Sequence, residues 1–279
     1  MKSVALVVFL LGGLYSFLTH ASADLPQSHF TEISSLTDED YQWIGAKIYQ
    51  NEAASKAKYL THWGKGEDFP SFGIAHFIWF PANISPPFEE TFPAMVQFVS
   101  QSKQPPAWLQ QLIAKGEGFN APWQNKAVFE LAADSTEQQQ LRDWLLATQS
   151  QQARFVALSF EKRWLKEIAS LSIAKQAELN QTLKQMMSFK QGLFAVIDYF
   201  NFKGIGNNAK EQYQGESWGL ISVLEAMPIN SSASNALRLA EFMTAAKERL
   251  KLRTELAPVE RRESRWIPGW FKRIDRYGL

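Results

Sequence analysis

The chain has 279 residues, and its 29 Lys and Arg against 28 Asp and Glu give a formal net charge of +1. A charge so close to zero argues against a general nucleic-acid-binding protein. Because the sequence has no cysteine, a disulfide-stapled scaffold is excluded, and a chain of this length must be held together by one large apolar core.

The first 23 residues have the pattern of a signal peptide. Lys2 supplies a positive charge, Val4–Leu18 is mostly apolar, and Ala21–Ala23 offers the small-x-small pattern of a cleavage site. We expect cleavage after Ala23, which leaves Asp24–Leu279 as a single domain that is periplasmic or secreted. Later apolar stretches are too short for a membrane helix, so we expect no transmembrane span after cleavage. We also expect the protein to be a monomer.

A helix is predicted at Asp38–Ala54, in "LTDEDYQWIGAKIYQNEA". Thr37 is the expected N-cap, and Asp40, three residues on, completes a capping box in which Asp replaces the usual Glu. Glu52 falls in the last turn, where the helix dipole disfavours a carboxylate. It is therefore either well exposed or held there for a purpose.

The next segment, "GEDFPSFGIAHFIWF" at residues 66–80, predicts a turn followed by short strands. Prolines then interrupt the chain, and helical patterns dominate the remainder, which favours one domain of helices with a small β element. The further helices are predicted at Pro93–Ser100, Ala107–Lys115, Lys126–Ala132, Thr136–Thr148, Gln152–Ser170, Lys175–Tyr199, Trp218–Met227 and in "SNALRLAEFMTAAKERLKL".

The aromatic segment resembles the β-hairpin of phage-type lysozymes, which has the motif Thr-Ile-Gly-Ile-Gly-His. In "FPSFGIAHFIW", Ser71 matches the Thr, Gly73 the first Gly, Ile74 the Ile and His76 the His, whereas Ala75 departs from the second Gly. Chitosanases and goose-type lysozymes share this order of helix, Glu and hairpin. The resemblance covers roughly Tyr41–Pro81 and implies a mainly α, lysozyme-like α+β domain with a small β-hairpin.

The resemblance places Glu52 at the catalytic Glu, and the chemistry of glycoside cleavage agrees. One protonated carboxyl donates to the leaving oxygen, and an ionised one activates water or stabilises positive charge at the anomeric carbon. We expect Glu52 to be the acid, with its pKa raised by the helix end and the flanking aromatics. The ionised partner is Glu67 or Asp68, and Ser71 could orient the water.

The sequence leaves the choice between Glu67 and Asp68 open. In an extended run, alternate side chains face opposite ways, so Glu67 would share the face of Ser71. Gly66 allows an earlier turn that would break this alternation. Glu67 is therefore only slightly favoured over Asp68.

A second polar cluster, at residues 198–228, is expected to form the opposite wall of the cleft. In it "WGLISVLEAMP" resembles the Gly-Leu-Met-Gln helix of lytic transglycosylases through Gly219 and Leu220, but Ser222 replaces the Gln. Surface aromatic residues can stack on sugar rings. The expected substrate-binding residues are His76, Trp63, Trp79, Lys203, Glu211, Tyr213, Glu216 and Trp218.

No cofactor and no metal are expected, because the spacing of His62 and His76 matches no compact ligand motif. From Lys247 to Leu279 ten Lys and Arg face five Asp and Glu, which indicates a solvated basic face or a contact with an anionic polymer or membrane.

The favoured hypothesis is an exported glycoside hydrolase that cleaves an amino-sugar polymer, such as peptidoglycan or a chitosan-like chain. One alternative is a non-catalytic glycan-binding or scaffold protein of the cell envelope with the same fold. Another is an exported helical interaction protein in which the hairpin motif is coincidental.

Overall fold

The structure is a computed structural model that describes residues 30–82, 84–85, 89–116, 119–206, 212–228 and 232–279. These ranges contain twelve α-helices and two small antiparallel sheets. The prediction of a mainly α fold with a small β element is confirmed. The predicted signal peptide lies outside the described residues, and within them no helix is both long and apolar enough to cross a bilayer.

The α-helices are α1 (Thr31–Ser34), α2 (Asp38–Ala53), α3 (Phe92–Ser100), α4 (Ala107–Ile113), α5 (Lys126–Leu131), α6 (Thr136–Leu146), α7 (Gln149–Ile168), α8 (Ile173–Met187), α9 (Lys190–Lys203), α10 (Leu220–Ala226), α11 (Asn235–Leu256) and α12 (Ile267–Asp275). The strands are β1 (Thr61–His62), β2 (Ser71–Phe72), β3 (Phe77–Ile78), β4 (Gln212–Tyr213) and β5 (Glu216–Ser217), and short 3-10 helices cover Ala57–Leu60, Val259–Arg261, Glu263–Trp266 and Arg276–Gly278.

Helix α2 has the predicted capping box. The backbone N–H of Asp40 donates to the Thr37 hydroxyl, and the Asp40 carboxylate accepts from the Thr37 backbone N–H. At its other end Ala54 adopts the left-handed conformation with φ 49°, and its N–H donates to the carbonyl of Tyr49. The helix stops there, so Glu52 lies in its last turn.

Strands β1, β2 and β3 form one antiparallel sheet in chain order, with Ser71 opposite His62 on one side and Ile78 on the other. The turn between β2 and β3 begins at Gly73, whose φ is 76°. A Cβ atom on Gly73 would lie 2.3 Å from Oε1 of Gln152. That oxygen accepts the N–H of Ile74 at 2.9 Å, so the buried Gln152 ties the turn to α7.

The long helix predicted at Lys175–Tyr199 is instead two helices, α8 and α9. Phe189 has extended backbone angles, φ −139° and ψ 150°, and separates them. Helix α9 is buried from Gly192 to Phe200 and contacts α2, α7, α8, α10 and α11, so it forms the centre of the core. Asp198, in this apolar run, is fully buried.

We predict that Gly73→Ala destabilises the fold by about 2–4 kcal/mol, because alanine must adopt positive φ and displace Gln152. The control is Ala75→Gly in the same turn. Ala75 does not have the positive φ of Gly73 or His76, so this exchange tests the loss of a methyl group without the strained backbone. Urea denaturation measures both. An unchanged midpoint for Gly73→Ala would contradict the tight contact between the turn and α7.

Candidate functional site

The carboxylate of Glu52 is held through one of its two oxygens. Oε1 accepts from Nδ2 of Asn201 at 2.9 Å and from Nη2 of Arg273 at 2.7 Å. Oε2 lies 3.8 Å from Nδ1 of His76. The side chain is 16% exposed, so one oxygen is fixed by the protein and the other remains on the side of the hairpin histidine.

Arg273 joins Glu52 to a second buried carboxylate. Its Nε and Nη2 donate to both oxygens of Asp198 at 2.7 and 2.9 Å, and the Tyr277 hydroxyl donates to Asp198 at 2.8 Å. The two carboxylates keep the pKa of Arg273 well above its usual range despite burial. The group Glu52–Arg273–Asp198–Tyr277 thus connects α2, α9 and the C-terminal segment.

The charge state of Glu52 differs from the expectation. Burial would raise its pKa, but the charge of Arg273 and the hydrogen bonds from Arg273 and Asn201 outweigh burial, so the pKa of Glu52 lies below its ordinary value. The predicted raised pKa is therefore wrong. The sequence pointed to the helix end but not to the arginine from a distant helix. Glu52 is ionised at neutral pH and is poorly suited to donate a proton.

A pocket of about 370 Å³ lies beside Glu52. It brings together the end of α2 and the small sheet, and one wall comes from the segment after α12. Among its lining residues are Asn51, Glu52, Tyr59, His62, His76 and Arg276. Arg276 donates to Oδ1 of Asn51 at 3.1 Å and so closes one side.

The two histidines of the sheet form a stacked pair on this pocket. The rings of His62 and His76 are 5.7 Å apart at 19°, and burial together with the charge of His76 lowers the pKa of His62. His76 has positive φ, and its Nε2 is buried with no hydrogen-bond partner among the described residues. A strained backbone that presents a histidine to a carboxylate is characteristic of functional sites.

The other predicted acidic residues do not line the pocket. Glu67 and Asp68 are both exposed. The Glu67 carboxylate accepts the backbone N–H of Gly64 at 3.1 Å. Its charge offsets only part of the burial that lowers the pKa of His62. Ser71 is buried opposite His62 in the sheet.

The expectation that Trp63 and Trp79 contact substrate is not supported, because both side chains are buried. Trp79 is fully enclosed, stacks on Phe92 at 4.7 Å and donates from Nε1 to the carbonyl of Phe119. Trp63 packs on Phe129 and donates to the carbonyl of Glu67. These rings hold the hairpin in place, and composition alone could not separate such core aromatics from surface ones.

The predicted second wall, residues 198–228, reaches the Glu52 group only at its start, through Asp198 and Asn201, and its later residues face elsewhere. Tyr213 donates to Glu263, Glu216 pairs with Arg249, and the buried Trp218 lies under the guanidinium of Arg253 at 4.1 Å. These partners belong to α11 and the C-terminal segment, so this cluster does not line the pocket. Glu211 lies outside the described residues.

Lys203, the remaining member of that set, is enclosed by aromatic rings and other cations. Its Nζ is 4.0 Å from the ring centroid of Phe202 and 3.8 Å from that of Trp270. Burial, together with the charges of Arg253 and Arg273, lowers the pKa of Lys203 to about 6. Its amine is therefore mostly neutral at pH 7.

Sequence reasoning missed Asp198 and Arg273, which determine the state of Glu52. The signal for Asp198 was a charged residue inside the apolar run "GLFAVIDYF", a position that calls for a buried partner. Nothing in the sequence distinguishes Arg273 from the other basic residues of the C-terminal segment. From the sequence His62 is a candidate metal ligand and nothing more, because its stacking on His76 is a tertiary contact.

Within the described ranges, no three His, Cys, Asp or Glu side chains are grouped so that they could hold a metal ion. Searches of protein-family models, curated proteins and solved structures return no match to this chain.

We predict that Glu52 stabilises the fold at neutral pH and that this contribution is lost in acid. Its lowered pKa contributes stability above its unfolded pKa, near 4.5, and this contribution is lost as pH falls through the folded value. Glu52→Gln should therefore flatten the decrease in unfolding free energy between neutral pH and acid. Urea titrations across that range, with the exposed Glu130→Gln as control, measure the difference. Parallel curves for wild type and Glu52→Gln would contradict the lowered pKa.

A further prediction concerns Lys203, whose amine should titrate near pH 6. The ¹³Cε resonance of lysine, assigned by Lys203→Met, reports this titration by NMR. The resonance of the exposed Lys162 is recorded alongside as a reference, and the ordinary pKa of a lysine amine in a peptide is about 10.4. A Lys203 midpoint in that range would show that the aromatic and cationic surroundings leave its pKa unchanged.

Proposed function

We propose that this protein is an exported, monomeric, lysozyme-like glycoside hydrolase that cleaves an amino-sugar polymer, most simply peptidoglycan, in the pocket between α2 and the small sheet. The observation that carries the proposal is that the two carboxylate oxygens of Glu52 have different partners. Oε1 accepts two hydrogen bonds, while Oε2 is left beside His76 on the pocket wall. A carboxylate fixed in this way is preorganised for charge that develops in a transition state.

The charge on Glu52 changes its expected role. An ionised carboxylate assists water or stabilises positive charge at the anomeric carbon, so Glu52 takes the role first expected of Glu67 or Asp68. The imidazole of His76 then donates the proton to the leaving oxygen. Water adds to the anomeric carbon as the glycosidic bond breaks, and the Glu52 carboxylate accepts its proton. Transfer of that proton from Glu52 to His76 restores the starting state.

Two further features support the proposal. The order of capped helix, helix-end Glu and small antiparallel sheet is the order of the lysozyme-like resemblance. The pocket also offers amide, hydroxyl and guanidinium groups, from Asn51, Tyr59 and Arg276, which can hydrogen-bond to sugar hydroxyls.

A second candidate, a non-catalytic glycan-binding protein, is favoured by the ion pair between Glu52 and Arg273. Enclosed ion pairs of this kind also occur in proteins where their role is structural and not catalytic. In addition, Glu52 is the only carboxylate from the described residues on the pocket wall. Binding without turnover in the wild-type protein would select this candidate.

The proposal predicts that Glu52→Gln lowers turnover of purified peptidoglycan by at least about a hundred-fold, because the amide carries no charge to stabilise the transition state. The amide keeps the shape of the carboxylate, so polymer binding and the circular dichroism spectrum should persist. Glu67→Gln and Asp68→Asn are matched controls on the exposed turn and should retain near-full activity. Full activity of Glu52→Gln would remove Glu52 from the mechanism.

His76→Gln should lower turnover as well, by about 10²–10⁴-fold for the loss of a proton donor. A nitrophenyl glycoside, which has a good leaving group, distinguishes proton donation by His76 from charge stabilisation by Glu52. Such a leaving group needs no proton, so activity of His76→Gln should be largely restored on it, whereas Glu52→Gln stays inactive. Equal losses on both substrates would contradict proton donation by His76.

A further inference from the structure

A row of three cations runs along the exposed side of the C-terminal segment. Arg265 and Lys272 are exposed and Arg276 is half-buried; they lie in the 3-10 helix before α12, in α12 and in the 3-10 helix after it. Their spacing of seven and four residues, at 3.6 residues per turn, places them on one side of the segment. At the helical rise per residue the row is roughly 16 Å long. We call Arg265, Lys272 and Arg276 the α12 row.

The described residues give the α12 row no acidic partner. The guanidinium of Arg265 lies over the ring of Trp266 at 5.0 Å, and Arg276 donates only to the neutral groups of Gln50 and Asn51. The acidic side chains nearby are engaged elsewhere. Asp275 pairs with Lys247, and Glu255 lies 3.7 Å from Lys251. The row is therefore a strip of uncompensated positive charge.

The α12 row connects two cavities. At one end Arg276 lines the Glu52 pocket. At the other, Arg265 lines a second cavity of about 700 Å³, together with Arg262 and Ser264. Glu255 and Glu263 also line this cavity, but Glu263 pairs with Arg253 and Arg261, and Glu255 lies 3.7 Å from Lys251. Arg262 holds a left-handed backbone with φ 48°, an arrangement that a non-glycine residue adopts at a cost. Trp266, 51% exposed beside Arg265, adds a flat aromatic surface of the kind that sugars stack on.

We propose that the α12 row binds an acidic glycan strand and leads it from the second cavity into the Glu52 pocket, which makes a carboxylate-bearing amino-sugar polymer the substrate class. This inference rests on the proposed glycan function of that pocket. A row of cations about 16 Å long can face successive carboxylates of such a strand. Concave ends favour a flexible strand over the flat surface of a bilayer, which would need its cations in one exposed plane.

The test compares two probes of equal length that share N-acetylglucosamine, an acidic hyaluronan oligosaccharide and a neutral chitin oligosaccharide. Binding is measured by calorimetry on the Glu52→Gln protein, so that neither probe is cleaved. We expect hyaluronan to bind about ten-fold more tightly at low salt, with the preference shrinking as salt screens the row. Adding Arg265→Gln and Lys272→Gln should abolish the preference and leave chitin binding unchanged.

The matched control is Lys162→Gln with Lys166→Gln, which removes two exposed cations from α7 and should leave both affinities unchanged. Trp266→Ala should lower the affinity for both oligosaccharides, because stacking on a sugar ring does not depend on the charge of the sugar. Unchanged hyaluronan binding after loss of Arg265 and Lys272 would overturn the proposal. So would binding to phosphatidylglycerol vesicles without binding to hyaluronan, which would assign the row to a membrane surface.

This test is independent of turnover. If Glu52→Gln remains fully active on peptidoglycan, the proposed catalytic role of Glu52 fails. The calorimetry still decides whether the α12 row recognises an acidic strand, provided that chromatography shows both oligosaccharides intact after the titration.

Discussion

The candidate site depends on one interaction, the pairing of Arg273 with both Glu52 and Asp198. The guanidinium bridges the end of α2 and the middle of α9. A cation this deeply enclosed is tolerated only because two carboxylates and its hydrogen bonds offset the loss of water. Removing one partner would leave an uncompensated charge, which typically costs about 3–5 kcal/mol. Stability and the state of the pocket are therefore coupled through the same side chain.

The same interaction determines what chemistry Glu52 can perform. A glutamate at a helix end among aromatics would normally hold its proton more tightly, as lysozyme-like acids do. Here the arginine reverses that tendency, so the pocket contains a fixed negative charge beside two stacked histidines. Positive charge at an anomeric carbon is the kind of charge that such a site would stabilise.

Local features were predictable from the sequence because short-range physics determines them. The capping box at Thr37 and Asp40 and the short strands around Ser71 follow from residues a few positions apart. The break at Phe189 was missed because no Gly or Pro marks it, and tertiary packing separates α8 from α9. The pairing of Glu52 with Arg273 was not predictable, because the partners are 221 residues apart and arginine is common in that segment. Burial likewise decided that Trp79 is core while Trp266 is exposed.

The separation of 221 residues between Glu52 and Arg273 also has a consequence in time. A ribosome adds about 5–20 residues per second, so Arg273 is synthesised roughly 10–45 s after Glu52. During that interval α2 can form, since its capping box is local, but its terminal carboxylate has no guanidinium to hold it. The growing chain therefore carries Glu52 with the higher proton affinity of an unpaired carboxyl. The lowered pKa arises only when the segment containing Arg273 docks against α9 and brings the guanidinium to Glu52.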